Sequence, residues 1–404
     1  MHPSGGGSSL PRRCVSPGLT ATMKTWLLPP ARQQASRGIR LLALLGMVYA
    51  LLTARPAPAR VVLGPPQTVE TVNPTVCVHT RLTDEVEEWK IQRTLQLVRE
   101  MGAATIVEFF PWPYIERERG SYDWAHADRI MRHAENQGLT VLARLGLVPD
   151  WARPPIQEKV TTLTYLPYDR FEDFARFVGA FVARYGERLG GVIIWNEPNL
   201  SYEWGDRGPD PEAYTELLRL SYQAAHAANP EVLVLGGALA PTTEPEGSGS
   251  GMNEMRFLER MYQAGAAPYF DALAAHTYGF TAPPSDPPDL ATINFRRVEL
   301  LRAVMERYGD GDKPVYITES GWSDDPRWTR AVRPGQRIAY TLDALDMATA
   351  WPWAERLCLW QFRQPADTFN RRDAYYALVS SDFVIKPIYE AVRAYARGWP
   401  IPYV

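Results

Sequence analysis

Cysteine is scarce: three residues in 404, at positions 14, 77 and 358, with no spacing that resembles a metal-ligand set. No G-x-G-x-x-G or phosphate-loop string occurs, which removes the usual marks of a dinucleotide or nucleotide site on a doubly wound sheet. An excess of one charge is lacking too, with 43 Lys and Arg against 46 Asp and Glu and a formal net charge of −3. A nucleic-acid partner, which needs a concentrated basic surface, is therefore not expected. What is present is 46% hydrophobic and 22% charged residues, ample for one large core in an ordinary globular protein.

The chain also lacks an apolar run long enough to be read as a membrane span. Its N-terminal run, Leu41 to Leu52, covers about 12 residues against the roughly 20 needed to cross a bilayer. Arg32, Arg37 and Arg40 precede it and Ala57-Pro58-Ala59 follows, the layout of a secretory signal. Residues 1–60 are read as a leader, with Met23 as an alternative start, and residues 61–404 as the folded part. A secreted or extracytoplasmic protein is expected, touching the membrane only transiently through the leader; an uncleaved N-terminal anchor is the alternative.

Beyond the leader, eight short β-rich runs alternate with segments of helical period. The strands are expected at Thr75 to His79, Thr105 to Phe109, Thr140 to Leu145, Val192 to Trp195, Val232 to Leu235, Ala272 to His276, Val315 to Thr318 and Leu357 to Trp360. The helices between them include Phe171 to Arg188 and Pro211 to Ala228, the latter with Asp210 as N-cap and Pro211 at N1; Gly138 and Gly309 are expected C-caps. Strict alternation predicts one parallel sheet, and eight units predict an α/β fold of a single (β/α)8 TIM barrel. Cys77 and Cys358 would then lie on neighbouring strands. A bridge is conceivable in an exported protein, but strand cysteines are expected as buried small apolar groups.

Active sites of this fold gather at the C-terminal ends of the strands. There the chain places His79, Glu108, Arg144, Asn196, Glu197, His276, Tyr278, Glu319 and Trp360. A single glutamate at such a position is most often a cap or a surface ion partner. Two, in Trp195-Asn196-Glu197-Pro198-Asn199 and Ile317-Thr318-Glu319-Ser320-Gly321-Trp322, supply the acid and the carboxylate that cleavage of a glycosidic bond requires. Burial beside tryptophan is expected to raise one pKa while hydrogen bonds keep the other ionised.

These two strings resemble the clan A glycoside hydrolases, retaining enzymes on (β/α)8 barrels, over residues from about 70 to 398. The resemblance implies Glu197 as acid/base, Glu319 as nucleophile and Asn196 as ligand of the sugar 2-hydroxyl. It also implies that Tyr278 bonds the nucleophile, with His276 and Trp360 lining the same subsite. Gly120-Ser121-Tyr122-Asp123-Trp124 and Leu145-Gly146-Leu147-Val148-Pro149 resemble the branch of β-xylosidases and α-iduronidases, and cellulase-like members share the general pattern. One departure is that no arginine ends strand two, leaving Arg144 on strand three as the substitute.

Trp112, Trp151, Trp204 and above all Trp322 lie in or beside the loops expected on the active-site face and are candidate sugar platforms. Glu244 to Gly251, rich in glycine and serine, is expected to act as a mobile lid. The expected activity is retaining hydrolysis of the O-glycosidic bonds of a poly- or oligosaccharide, with no metal and no organic cofactor. A transglycosylase on the same site, or a non-catalytic carbohydrate-binding or sensing protein on a decayed barrel, are the alternatives.

Overall fold

The computed structural model describes residues 31–53, 61–154, 162–365 and 372–402. It divides into two units, Met1–Arg60 and Val61–Val404. Within the first, Ala31–Thr53 forms an α-helix, and among the described residues no helix is long and apolar enough to cross a membrane.

The second unit is a closed barrel of eight parallel strands in sequence order. They are β1 (Val76–His79), β2 (Thr105–Pro111), β3 (Thr140–Gly146), β4 (Leu189–Ile194), β5 (Val234–Leu239), β6 (Ala272–Tyr278), β7 (Val315–Gly321) and β8 (Ala354–Leu359). Most expected strands are found within two or three residues. β5 runs further than expected, through Gly236 and Gly237, which pair with Leu273 and Ala274 of β6. At Gly236 a Cβ would meet Leu218 and Phe270 at 3.0 Å, so these glycines admit close packing rather than end the strand.

Two apolar layers hold the barrel. Inside lie Cys77, Val107, Leu142, Ile193, Leu235, Ala272, Ala274 and Cys358; outside, residues such as Phe174, Phe177 and Phe181 of the helix Phe171–Tyr185 pack against the strands. Each such fully buried side chain contributes roughly 1.5–3 kcal/mol through lost water contact. Helix ends follow local chemistry: Asp210 accepts a hydrogen bond from Ala213 N at 2.9 Å ahead of Pro211–Ala228, and Gly138 and Gly309 adopt left-handed φ values of 68° and 82°.

The expectation for the strand cysteines is corrected. Cys77 and Cys358 stand directly opposite in the β1/β8 register, 4.1 Å apart at Cα, and are disulfide-bonded across 281 residues. Direct pairing brings the two inward-facing sulfurs together, which makes a bridge rather than two separate thiols.

Candidate active site

Alternation along each strand decides which side chains enter the barrel mouth. Two residues beyond the inward Cys77 comes His79; Arg144 follows Leu142, His276 and Tyr278 follow Ala274, and Trp360 follows Cys358. By the same rule Glu108 faces away. Its carboxylate accepts hydrogen bonds from Thr80 Oγ1 at 2.6 Å, Leu82 N at 3.0 Å and Thr83 N at 2.9 Å, so it clamps the loop after β1, and Phe109 lines the cavity instead.

Glu319 reaches the mouth by a different device. Between β6 and β7 the register runs from Ala275↔Ile317 to His276↔Glu319, one extra residue on β7. That bulge turns Glu319 to the side on which His276 lies, as bulges beside active sites commonly do.

The two glutamates meet there. Arg144 Nη1 donates to Glu319 Oε1 at 2.5 Å and to Asn196 Oδ1 at 2.7 Å. Tyr278 donates its hydroxyl to Glu319 Oε2 at 2.7 Å. His276 Nδ1 shares a proton with Glu197 Oε1 at 2.8 Å and stands 3.7 Å from Glu319 Oε2. Single donor atoms of Glu197, His276 and Glu319 all lie within 4.8 Å of one another. By type these three could hold a cation, but the Arg144 guanidinium already pairs with Glu319 and the His276 ring with Glu197.

Burial opposes ionisation of Glu319, yet the charges of His276, Arg144 and His79 and the hydrogen bond from Tyr278 override it and hold its pKa at about 2. Burial would also lower His276, but Glu319 and Glu197 raise it. Desolvation and then Arg144 push His79 well below its ordinary value. Glu197 occupies the left-handed region at φ 43°, beside Trp195 at φ 71°, a strain on the order of 1 kcal/mol. Glu197 N→Ala238 O at 3.0 Å and Trp195 Nε1→Glu203 O at 2.8 Å hold that turn.

Around the pair lies a cavity of about 430 Å³, lined by His79, Phe109, Arg144, Asn196, Glu203 and Trp360 among others. His79 and Trp360 meet edge to face at 4.5 Å. A second hollow of about 310 Å³ also borders both glutamates and is walled by Tyr202, Phe280 and Tyr376. Asn199, the last residue of the β4 motif, is buried and bonds Ala240 and Met252, joining two loops.

Four tryptophans fall elsewhere than expected. Trp322 is 1% exposed, donates to Ala282 O at 2.9 Å and lies so close to Gly279 that a Cβ there would be 2.2 Å from its indole. Trp112 and Trp204 are fully buried, and Trp151 packs edge-on against Trp112. The loop 244–251 is tethered to the β4 loop through Ser201 N→Ser250 O and Met252 N→Asn199 O, which ties its C-terminal end down.

Tyr202, Glu203 and Tyr376 were not expected at the site. Tyr202 donates to Glu197 Oε2 at 3.4 Å, and burial followed by the charge of Glu197 lifts the Glu203 carboxyl to about 7. The available signal for Tyr202 and Glu203 was their place five and six residues after Glu197 in the β4 loop; Tyr376, beyond β8, carried none.

A (β/α)8 barrel with paired glutamates at the ends of β4 and β7 is the architecture in hand, and solved glycoside hydrolases share this fold. A family 39 glycoside hydrolase from the gut symbiont Bacteroides cellulosilyticus WH2 superposes with a TM-score of 0.64 at 20% identity, covering 82% of this chain and 65% of that one. A monomeric β-xylosidase from Caulobacter crescentus CB15 gives 0.58 at 20% identity, over 80% and 69%. The exo-β-1,4-mannosidase Op5Man5 from Opitutaceae bacterium strain TAV5 gives 0.55 at 20% identity, over 84% and 62%. The chain thus spans under two thirds of the first and third of these. No protein-family model and no curated protein matches it.

Proposed function

We propose that the chain is an exported retaining β-glycoside hydrolase. The observation that carries this reading is the approach of single carboxylate oxygens of Glu197 and Glu319 to within 4.8 Å of each other, a closeness that favours a retaining pair (carboxyls about 5–5.5 Å apart) over an inverting one (about 6.5–9.5 Å). The fold shared with solved glycoside hydrolases supports the same class.

In the first step an ionised Glu319 oxygen attacks the anomeric carbon. The bond to the leaving oxygen breaks, and that oxygen takes the proton of Glu197. In the second, Glu197 removes a proton from water as its oxygen attacks the same carbon, and the ester to Glu319 breaks to regenerate the carboxylate. Arg144 and Tyr278 keep the nucleophile ionised and oriented, and His276 holds the other carboxyl. Asn196, fixed by Arg144, presents its amide to the ring beside the anomeric carbon. Export fits a buried disulfide, since such bonds persist in oxidising compartments.

The test is hydrolysis of aryl β-glycosides, β-glucans, xylans and mannans by the full chain, beside Glu197→Ala and Glu319→Ala. Turnover of one class, lost in both variants and with retained anomeric configuration by NMR, is expected. Undiminished turnover in Glu319→Ala, or an inverted product, overturns the mechanism.

A further inference from the structure

Glu203 is a third carboxyl in the cavity that holds the glutamate pair, and the double displacement does not use it. It sits on the single turn Ser201–Trp204, whose backbone is fixed by Trp195 Nε1 donating to the Glu203 carbonyl. Arg144 occupies the Oδ1 of Asn196, which leaves the Asn196 amide NH2 for acceptors in the cavity that it lines together with Glu203. The groups that act on its charge are Glu197 and Glu319, which oppose it, and Arg144, which favours it; Tyr202 lies next in sequence on the same turn.

A carboxylate offers about four acceptor sites. In the same cavity wall, Arg144 Nε is a buried donor and His79 Nε2, whose ring donates through Nδ1 to Thr80 O, a buried acceptor, each without a hydrogen-bond partner among the described residues. A cavity that combines spare acceptors with spare donors suits a ligand carrying several hydroxyls, each both donor and acceptor.

We propose that Glu203 recognises the sugar ring bound in this cavity, accepting a hydrogen bond from a ring hydroxyl adjacent to the one held by Asn196. Resting on the hydrolase reading, this makes Glu203 a specificity-determining residue particular to the sugar unit that is attacked. A hydrogen bond between a carboxyl of the site and a substrate hydroxyl governs selection by about 10–100-fold, because the analogue lacking the hydroxyl leaves that polar group unpaired.

The experiment is a cycle of two changes: Glu203→Gln and Glu203→Ala against the best aryl glycoside and its monodeoxy analogues, read as kcat/KM at pH 6 to 8. The wild type is expected to lose about 10–100-fold on removal of one particular hydroxyl. In Glu203→Ala that same removal should cost less than about threefold, and Glu203→Gln should fall between. If every deoxy analogue loses equally in wild type and variants, Glu203 takes no part in recognition, while wild-type turnover leaves the hydrolase reading intact. Should the wild type turn over no glycoside, iminosugar binding by calorimetry replaces kcat/KM: equal affinity in wild type and Glu203→Ala overturns the assignment, and tighter binding to the wild type sustains it. Unfolding midpoints of the variants separate lost recognition from lost fold.

Discussion

Arg144 on β3 reaches across the barrel mouth to place Nη1 2.5 Å from Oε1 of Glu319 on β7. The same nitrogen bonds Asn196 Oδ1, so one guanidinium joins the proposed nucleophile to the amide proposed to lie beside the sugar. An arginine with an opposite charge this near depresses a carboxyl by about 1–3 pH units. Replacing it by methionine should move the acid limb of kcat/KM upward by about that much and lower kcat by about 10²–10³. An acid limb that stays in place would show that His276 and Tyr278 alone set the ionisation of Glu319.

Stability should vary with pH in two windows of opposite sign. Glu319 falls from the ordinary glutamate value near 4.5 to about 2 on folding, so its contribution is present above 4.5 and is lost as pH falls through that range towards 2. Glu203 and Glu108 rise to about 7; their protonated forms favour the fold, and that contribution is lost as pH climbs from 4.5 through 7. Each amounts to on the order of 3 kcal/mol. Urea denaturation at pH 5 and pH 8 should show Glu203→Gln losing less stability between the two than wild type. An equal loss would mean that Glu203 is solvated enough to titrate normally.

The β1–β8 disulfide closes the barrel where its first and last strands meet. It also lies directly beneath His79 and Trp360, two residues further along the same strands. Replacing both cysteines by alanine should cost about 2–5 kcal/mol. Calorimetry should therefore find a lower melting temperature, and the KM for the glycoside should rise as the His79 and Trp360 pair loosens. A melting temperature unchanged by the double replacement would indicate thiols.

The barrel was legible because alternation of buried β-branched runs with helical segments survives in one sequence, and so were Glu197 and Glu319, each at the end of a strand. Other features depend on register, which residue types do not carry. Counting alternate positions from the inward Tyr316 puts Glu319 on the outer face, and only the bulge between Ala275↔Ile317 and His276↔Glu319 brings it in. Glu108 stands at a strand end yet faces the β1 loop, because the inward Val107 fixes the parity of β2. Glu203 lay beyond the motif on a single turn, where neither period applies.

Tryptophans were the hardest to place, since an indole walls a sugar site as readily as it fills a core. Trp322 follows Glu319 by three residues, yet its ring is buried against Gly279 and tied to Ala282 O. Trp360 is half-buried and borders both hollows beside the glutamates. Alanine at the two positions should therefore act differently. Trp322→Ala leaves a core void and should cost about 3–5 kcal/mol of stability, with KM little changed in the protein that remains folded. Trp360→Ala removes a ring face from the cavity and should raise KM by about tenfold at a cost of under about 2 kcal/mol. Melting temperatures and Michaelis constants measured side by side distinguish the two. A Trp322→Ala protein of normal stability with a large rise in KM would return that residue to the sugar-binding wall and require the loop after β6 to open when substrate binds.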